Sequence, residues 1–249
     1  MFWIPMKLDI VAVAAHPDDA EIIMGGTIAK TAHQGYKVGI IDLTDGEPTP
    51  YNDDPQIRLD EAQEAAEILG CAVRETLTLP NRKLFDNFEA RIELAKVLRE
   101  YQPDTVITVL GNTPMSSPDH YQGQLITEAG IFYARLSKWE QYFGNLETWR
   151  ARKLLYAPTA RGFVNDLLQR GNHFAVNISE FIETKNKAIR AYKSQFRANP
   201  FRKAEITEYF ENFTRFWGTL AGCQHAELFI QPEMLLIDDI VQMDRNPIP

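Results

Sequence analysis

The stretch Leu8–Ala15, L-D-I-V-A-V-A-A, runs straight into His16-Pro17-Asp18-Asp19, and this junction decides the fold. An almost unbroken apolar run of this length is the pattern of a parallel strand covered on both faces, since a half-exposed strand would alternate apolar with polar residues. The polar quartet ends it. Beyond the quartet Ile22, Ile23, Ile28 and Ala29 recur at helical spacing to about Gln34, and Gly35 stops the helix. Leu8 to Gly35 is therefore one strand-turn-helix unit, with the quartet at its turn.

The unit repeats. Val38–Leu43 (V-G-I-I-D-L) reads as a second buried strand, T-D-G-E-P-T-P-Y-N-D-D-P from Thr44 as a polar loop, and Arg58–Leu69 as an amphipathic helix closed by Gly70. Val73–Leu79 gives a third strand, Phe88–Tyr101 a third helix stopped by Pro103, and Thr105–Leu110 a fourth buried strand. Strands alternating with helices predict an α/β fold: a doubly wound, mostly parallel sheet flanked by helices. Ligands of such sheets sit beyond the carboxyl ends of the strands, where the strand order reverses. H-P-D-D follows strand one and Ser117-Pro118-Asp119-His120 follows strand four, so both motifs are expected at that edge.

Farther along, the pattern predicts a helix from His120 to about Trp139 and short strands near Leu154–Tyr156 and Phe174–Ile178. Ser179 is expected to N-cap a helix running to about Phe196, and Ile206–Phe216 to form one more. With no repeat, low-complexity tract or linker, residues 1–249 read as a single domain whose second half elaborates the first.

Composition narrows the classes. Of 249 residues, 45% are apolar, enough for a sizeable core without disulfides. Twenty-six basic against 34 acidic residues give a net charge of −8, a field that disfavours nucleic acid and anionic membranes. Cys71 and Cys223 are too few for a disulfide framework and suit a reducing compartment. The opening M-F-W-I-P-M-K-L-D lacks the parts of a secretory signal, and no apolar run reaches transmembrane length, so a cytoplasmic protein is expected, with Met6 a second candidate start. No G-x-G-x-x-G follows the first strand and no G-x-x-x-x-G-K appears, which argues against a dinucleotide or nucleoside triphosphate.

The chemistry lies in the two motifs. Catalytic zinc takes three protein ligands, usually His and carboxylate, and keeps one position open. His16 and Asp19 supply two from a turn where side chains converge, and His120 is the natural third. Asp18, between two ligands in sequence, is the general-base candidate for activating water.

These residues resemble the LmbE-like (PIG-L) N-deacetylases, and in particular the bacillithiol-pathway branch that deacetylates an N-acetylglucosaminyl conjugate. The matching text is A-H-P-D-D-A-E-I-I-M-G-G-T-I-A-K from Ala15, I-I-D-L-T-D-G-E from Ile40, R-L-D-E-A-Q-E-A-A-E-I-L-G from Arg58, P-D-H at Pro118–His120 and A-Y-K-S-Q-F from Ala191. The resemblance implies a Rossmann-like fold, Zn2+ on His16, Asp19 and His120, Asp18 as the base, Arg58 toward a small N-acetylated substrate, Tyr192 near the developing oxyanion, and a homo-oligomer, a hexamer. One position departs: the family usually writes H-P-D-H where this chain has Ser117-Pro118-Asp119-His120. A serine carries no positive charge, and loss of an oxyanion donor typically costs on the order of 10² to 10³ in turnover. Tyr192, Arg58, Arg161 and His173 are the candidate substitutes, and Asp119 is expected to orient His120. The rivals are a zinc-binding protein with little turnover and a metal-dependent amidase for another acyl group.

Each residue also has a plainer reading. Asp18 and Asp19 suit a helix N-cap, Asp119 could cap the helix that His120 enters, Arg58 could be a solvated helical residue and Tyr192 a core aromatic. His33, His173 and His225 read as structural or exposed. Cys223-Gln224-His225 has the wrong spacing for a second metal site.

Overall fold

Alternate residues of the first strand go to opposite sides of one sheet. Ala12 and Ala14 join a core shared with Met24, Ile28, Ala62, Leu69 and Tyr192, whereas Val11, Val13 and Ala15 join one shared with Leu94, Leu98, Ile126 and Trp149. Both faces are covered by helices, which is why the run carries no polar alternation. The computed structural model describes residues 6–112, 116–159, 172–196 and 206–236.

In chain order the elements are β1 (Ile10–Ala14), α1 (Asp19–His33), β2 (Val38–Asp42), α2 (Pro55–Leu69), β3 (Val73–Thr76), α3 (Phe88–Tyr101), β4 (Thr105–Leu110), α4 (Pro118–Ala134), α5 (Glu140–Phe143), β5 (Lys153–Pro158), β6 (His173–Asn177), α6 (Ile182–Ala191), α7 (Ile206–Ala221) and β7 (Ala226–Ile230). Among the described residues the sheet runs β3-β2-β1-β4-β5-β7-β6. The five strands β3 to β5 are parallel, and β7 and β6 are added antiparallel. The α/β architecture is the expected one, with strand order reversing between β1 and β4.

Local chemistry sets the helix ends. Asp54 caps α2 by accepting from Gln56 N at 3.0 Å, Pro55 fills its first turn, and Gly70 closes it in a left-handed conformation at φ 77°. Asn87 caps α3 through Ala90 N at 2.9 Å. Helix α1 breaks its helical dihedrals at Met24, and Glu227 on β7 accepts from Gly26 N (3.0 Å) and Thr27 N (2.7 Å) just beyond the break. Lys185 on α6 balances that buried carboxylate at 2.5 Å. The antiparallel addition thus braces the helix that leaves the H-P-D-D turn.

Several expected boundaries move. Helix α4 stops at Ala134 rather than near Trp139, because the chain turns back there and Trp149 N donates to Ala134 O at 3.0 Å. Ser179 does not cap α6: its hydroxyl donates to Asn177 Oδ1 at 2.7 Å, and α6 spans Ile182–Ala191 instead of reaching Phe196. Helix α7 runs on past Phe216 to Ala221, and β7 is a strand that the pattern did not announce. No helix among the described residues is long and apolar enough to cross a membrane.

Candidate metal centre

Strands β1 and β4 are parallel neighbours in register from Ile10↔Thr105 to Val13↔Thr108, so the loops after them emerge side by side. The first is the His16-Pro17-Asp18 turn into α1. Asp18 there has φ 109° and ψ −27°, a left-handed conformation rarely taken by a residue with a Cβ. The second begins α4, with Pro118 in its first turn and Ser117 as N-cap, its Oγ accepting from Asp119 N at 3.3 Å. The start of α4 can pack this closely on the end of β4 because residue 111 is glycine. A Cβ there would lie 2.1 Å from the carbonyl carbon and oxygen of His120. Gly111→Ala is therefore expected to destabilise the fold by at least about 1–3 kcal/mol and to weaken metal uptake, read from denaturant midpoints and metal content.

His16, Asp19 and His120 meet at this edge. Asp19 Oδ2 is 3.2 Å from His16 Nδ1 and accepts from His16 N at 3.0 Å, while Asp19 Oδ1 is 3.1 Å from His120 Nε2. The two imidazole centroids are 5.4 Å apart. One donor atom from each residue can be chosen so that all lie within 4.8 Å of one another. A tetrahedral zinc with ligand bonds near 2.0–2.1 Å spaces its donors by about 3.3 Å, and each imidazole lies at about that range from one oxygen of Asp19. His120 Nδ1 is buried and finds no protein partner among the described residues. Two imidazoles and a carboxylate so arranged fit a divalent cation.

The charge balance agrees. Burial disfavours a charged His16, yet Asp119, Asp19 and Asp18 together outweigh it and raise its pKa to about 10. Burial likewise works against a charged His120, and Asp19 overrides it, so that pKa also rises. Asp19 is held well below the usual carboxylate range by the two imidazoles despite its burial. Burial pushes Asp18 up to about 7, against the pull of Arg58. The centre is thus an excess of carboxylate around two imidazoles, which a cation would neutralise.

The other predicted residues fall in more varied places. Asp119 Oδ2 accepts from Arg82 N at 2.6 Å and lies 3.2 Å from His16 Nε2, so it orients His16 and not His120 as expected. Arg58 is not spread on the surface: its guanidinium lies under the H-P-D-D turn, 3.1 Å from Asp18 Oδ2. Tyr192 is fully buried and donates to Glu21 Oε1 at 3.0 Å, the core-aromatic placement and not an open oxyanion pocket. The reason is a charged network under α1 that needs its proton. Arg74 donates to Asp42 at 2.8 and 3.0 Å and also to Glu21, so one guanidinium serves two carboxylates and the Tyr192 hydroxyl completes Glu21. His173 starts the exposed strand β6, and Arg161 lies outside the described residues.

Sequence reasoning missed Glu47 and Glu61. Ser194 N and Oγ donate to Glu61 at 2.8 and 2.6 Å, and Gln195 Nε2 donates to Glu47 Oε1 at 2.8 Å, so Y-K-S-Q-F is docked onto α2 and the loop after β2 by two buried carboxylates. The signal was the S-Q pair itself, whose polar side chains, set just after an apolar helical stripe, needed buried partners.

Comparison with known proteins adds the family. The model described as PIG-L: GlcNAc-PI de-N-acetylase matches residues 11–130, which hold both motifs. A diacetylchitobiose deacetylase of Thermococcus kodakarensis is 28% identical over 227 residues, covering 88% of this chain and 80% of that protein. A 1D-myo-inositol 2-acetamido-2-deoxy-alpha-D-glucopyranoside deacetylase of Rhodococcus erythropolis is 29% identical over 205 residues, covering 70% of this chain and 66% of that one. The crystal structure of a conserved Thermus thermophilus protein matches with a TM-score of 0.81 at 33% identity, over 96% of this chain and all of that one. A shared fold, both polar motifs at one sheet edge and this set of relatives converge on one conclusion: the chain belongs to the PIG-L family of de-N-acetylases.

Proposed function

We propose that this chain is a zinc-dependent hydrolase that removes the acetyl group from an N-acetylglucosamine-type substrate, with His16, Asp19 and His120 as ligands and Asp18 as general base. The observation that carries the reading is the joint geometry of the two motifs. Three donors converge on one point, and a second carboxylate, that of Asp18 next to Asp19 in the chain, is engaged by Arg58. When bound, the metal supplies Lewis acidity and lowers the pKa of coordinated water. Asp18 takes the proton from the attacking water and delivers it to the departing amine. Asp119 fixes the ring of His16 through Nε2, leaving Nδ1 toward Asp19 and the centre.

The substrate class follows from what the two named relatives share. One acts on diacetylchitobiose and the other on an acetamidoglucosyl inositol, so the common unit is the 2-acetamido sugar and the attached group differs. The same relatives favour turnover over an inert zinc protein. A hexamer and a cytoplasmic setting belong to this reading on the resemblance and composition alone, and light scattering tests the first.

The test is a panel: acetate release from N-acetylglucosamine, its β-1,4 dimer and its glycosides, beside N-formyl, N-propionyl and non-sugar acetamides. Release confined to the acetamido sugars supports the reading, and preference for another acyl group or a non-sugar amide removes it. Two variants refine it. Asp119→Asn weakens the hold on His16 and is expected to lower metal affinity by about 10- to 100-fold in a chelator competition. Ser117→His is expected to raise kcat by up to about 10²-fold, while loss of the α4 cap lowers stability by about 1 kcal/mol. An unchanged kcat would show that another group already stabilises the oxyanion.

A further inference from the structure

The first turn of α1 carries Asp19 without the usual cap. Asp18 occupies the N-cap position, and its side chain makes no capping hydrogen bond. The turn is held two residues farther on instead. Glu21 is fully buried, and its Oε1 accepts from Arg74 Nη1 on β3 and from the Tyr192 hydroxyl at 3.0 Å. At about 100° per residue, Glu21 lies roughly 200° around the helix from Asp19. A side chain tied down on one side of α1 thus fixes the rotation of the side chain that meets His16 and His120 on the other.

Arg74 is itself seated on three elements. Its Nε and Nη2 donate to Asp42 on β2 at 2.8 and 3.0 Å, and Nη1 also donates to Ala62 O on α2 at 3.0 Å. Its side chain is 3% exposed, and Asp42 is fully buried. Asp42 stands opposite Ala14 in the parallel register, two residues before His16. One planar fork therefore ties the helix that bears Asp19 to the strand beside the one that leads to His16. Two buried carboxylates around one guanidinium do little for stability alone, since apolar side chains of similar volume often serve folding as well or better. What the arrangement supplies is a fixed geometry.

Resting on the reading of His16, Asp19 and His120 as metal ligands, we infer that Glu21 is a positioning residue, seated by Arg74, that sets the rotation of the first turn of α1 and so aims the Asp19 carboxylate between the two imidazoles. It acts through placement and not through its charge. Glu21 Oε2 has no partner among the described residues, so a glutamine can put its amide nitrogen there and keep both bonds to Oε1.

Glu21→Ala, Glu21→Gln and Arg74→Lys are compared with wild type by chelator competition for Zn2+, by denaturant midpoint and by crystal structure. Loss of a partner that orients a ligand costs about 10- to 100-fold in metal affinity, so Glu21→Ala is expected to lose about that factor and Glu21→Gln to stay within about threefold. Asp19 should shift in the Glu21→Ala crystal. Arg99→Met controls for lost stability: Arg99 is as deeply buried and donates to Ala134 O, Leu136 O and Leu146 O, at the end of α4 away from His120. Its metal affinity should match wild type however far its midpoint falls. Equal losses in Glu21→Ala and Glu21→Gln would make charge the cause, an equal loss in Arg99→Met would make it general instability, and a Glu21→Ala crystal with Asp19 unmoved would leave nothing to position; each overturns the inference. Should Glu21→Ala fail to fold, Arg74→Lys decides, because one ammonium cannot serve Asp42, Glu21 and Ala62 O together. Weakened metal affinity in that variant supports the role, and wild-type affinity refutes it. Wild type that takes up no Zn2+ brings down the metal centre itself, and the crystal comparison still judges Glu21.

Discussion

Asp18→Asn is expected to lower kcat by about 10²- to 10⁴-fold while the protein keeps its full metal content. Asparagine keeps the size and leaves an acceptor for Arg58, so the turn and the neighbouring ligand Asp19 should stay in place. What disappears is the proton acceptor. The same residue sets the pH dependence. Burial raises its pKa to about 7, with Arg58 opposing. The base works only when ionised, so kcat/KM falls as pH drops through that pKa, and the added charge of a bound cation moves the midpoint to or below that value. Asp18→Asn removes this acid limb. Metal lost along with activity would instead make Asp18 a ligand.

His120→Ala is expected to abolish activity through the metal. His120 is the contribution of the second motif, and Asp19 Oδ1 is 3.1 Å from its Nε2. Loss of a mere orienting partner costs 10- to 100-fold in metal affinity, so loss of a ligand should cost at least about 10²-fold. Chelator competition measures this, and unchanged affinity would refute the triad. Uptake by wild type should also tighten as pH rises. The metal-free pKa of His16 is raised to about 10, so binding must displace a proton that is held at neutral pH.

The parts of this molecule legible in its sequence are those set by local pattern. Continuous apolar runs announced β1, β2 and β4, and motifs directly after two of them had to emerge at one sheet edge. That His16, Asp19 and His120 come together follows from that topology. What stayed hidden depends on partners far along the chain. Strand β7, A-E-L-F-I, carries a charge in mid-run because Glu227 answers the free N–H groups of Gly26 and Thr27 about two hundred residues earlier. The apolar spacing after His120 continues past Ala134 because Trp139 and Phe143, beyond the turn, pack on the same core. Arg58 reads as an ordinary charge in the first turn of a helix, and only its fit against Gly46, which leaves no room for a Cβ, shows that it faces the H-P-D-D turn. Tyr192 shares a stripe with Ile189, and nothing local says that its hydroxyl answers Glu21.

A single metal on His16, Asp19 and His120 is expected to drive acetamide hydrolysis. Protein stripped by a chelator and titrated with Zn2+ tests it most directly, with acetate release from an acetamido sugar followed at each addition. No release is expected without metal, and recovery should rise linearly and break at one equivalent. Full release from stripped protein, or one bound equivalent with no release from any acetamido sugar, would contradict it.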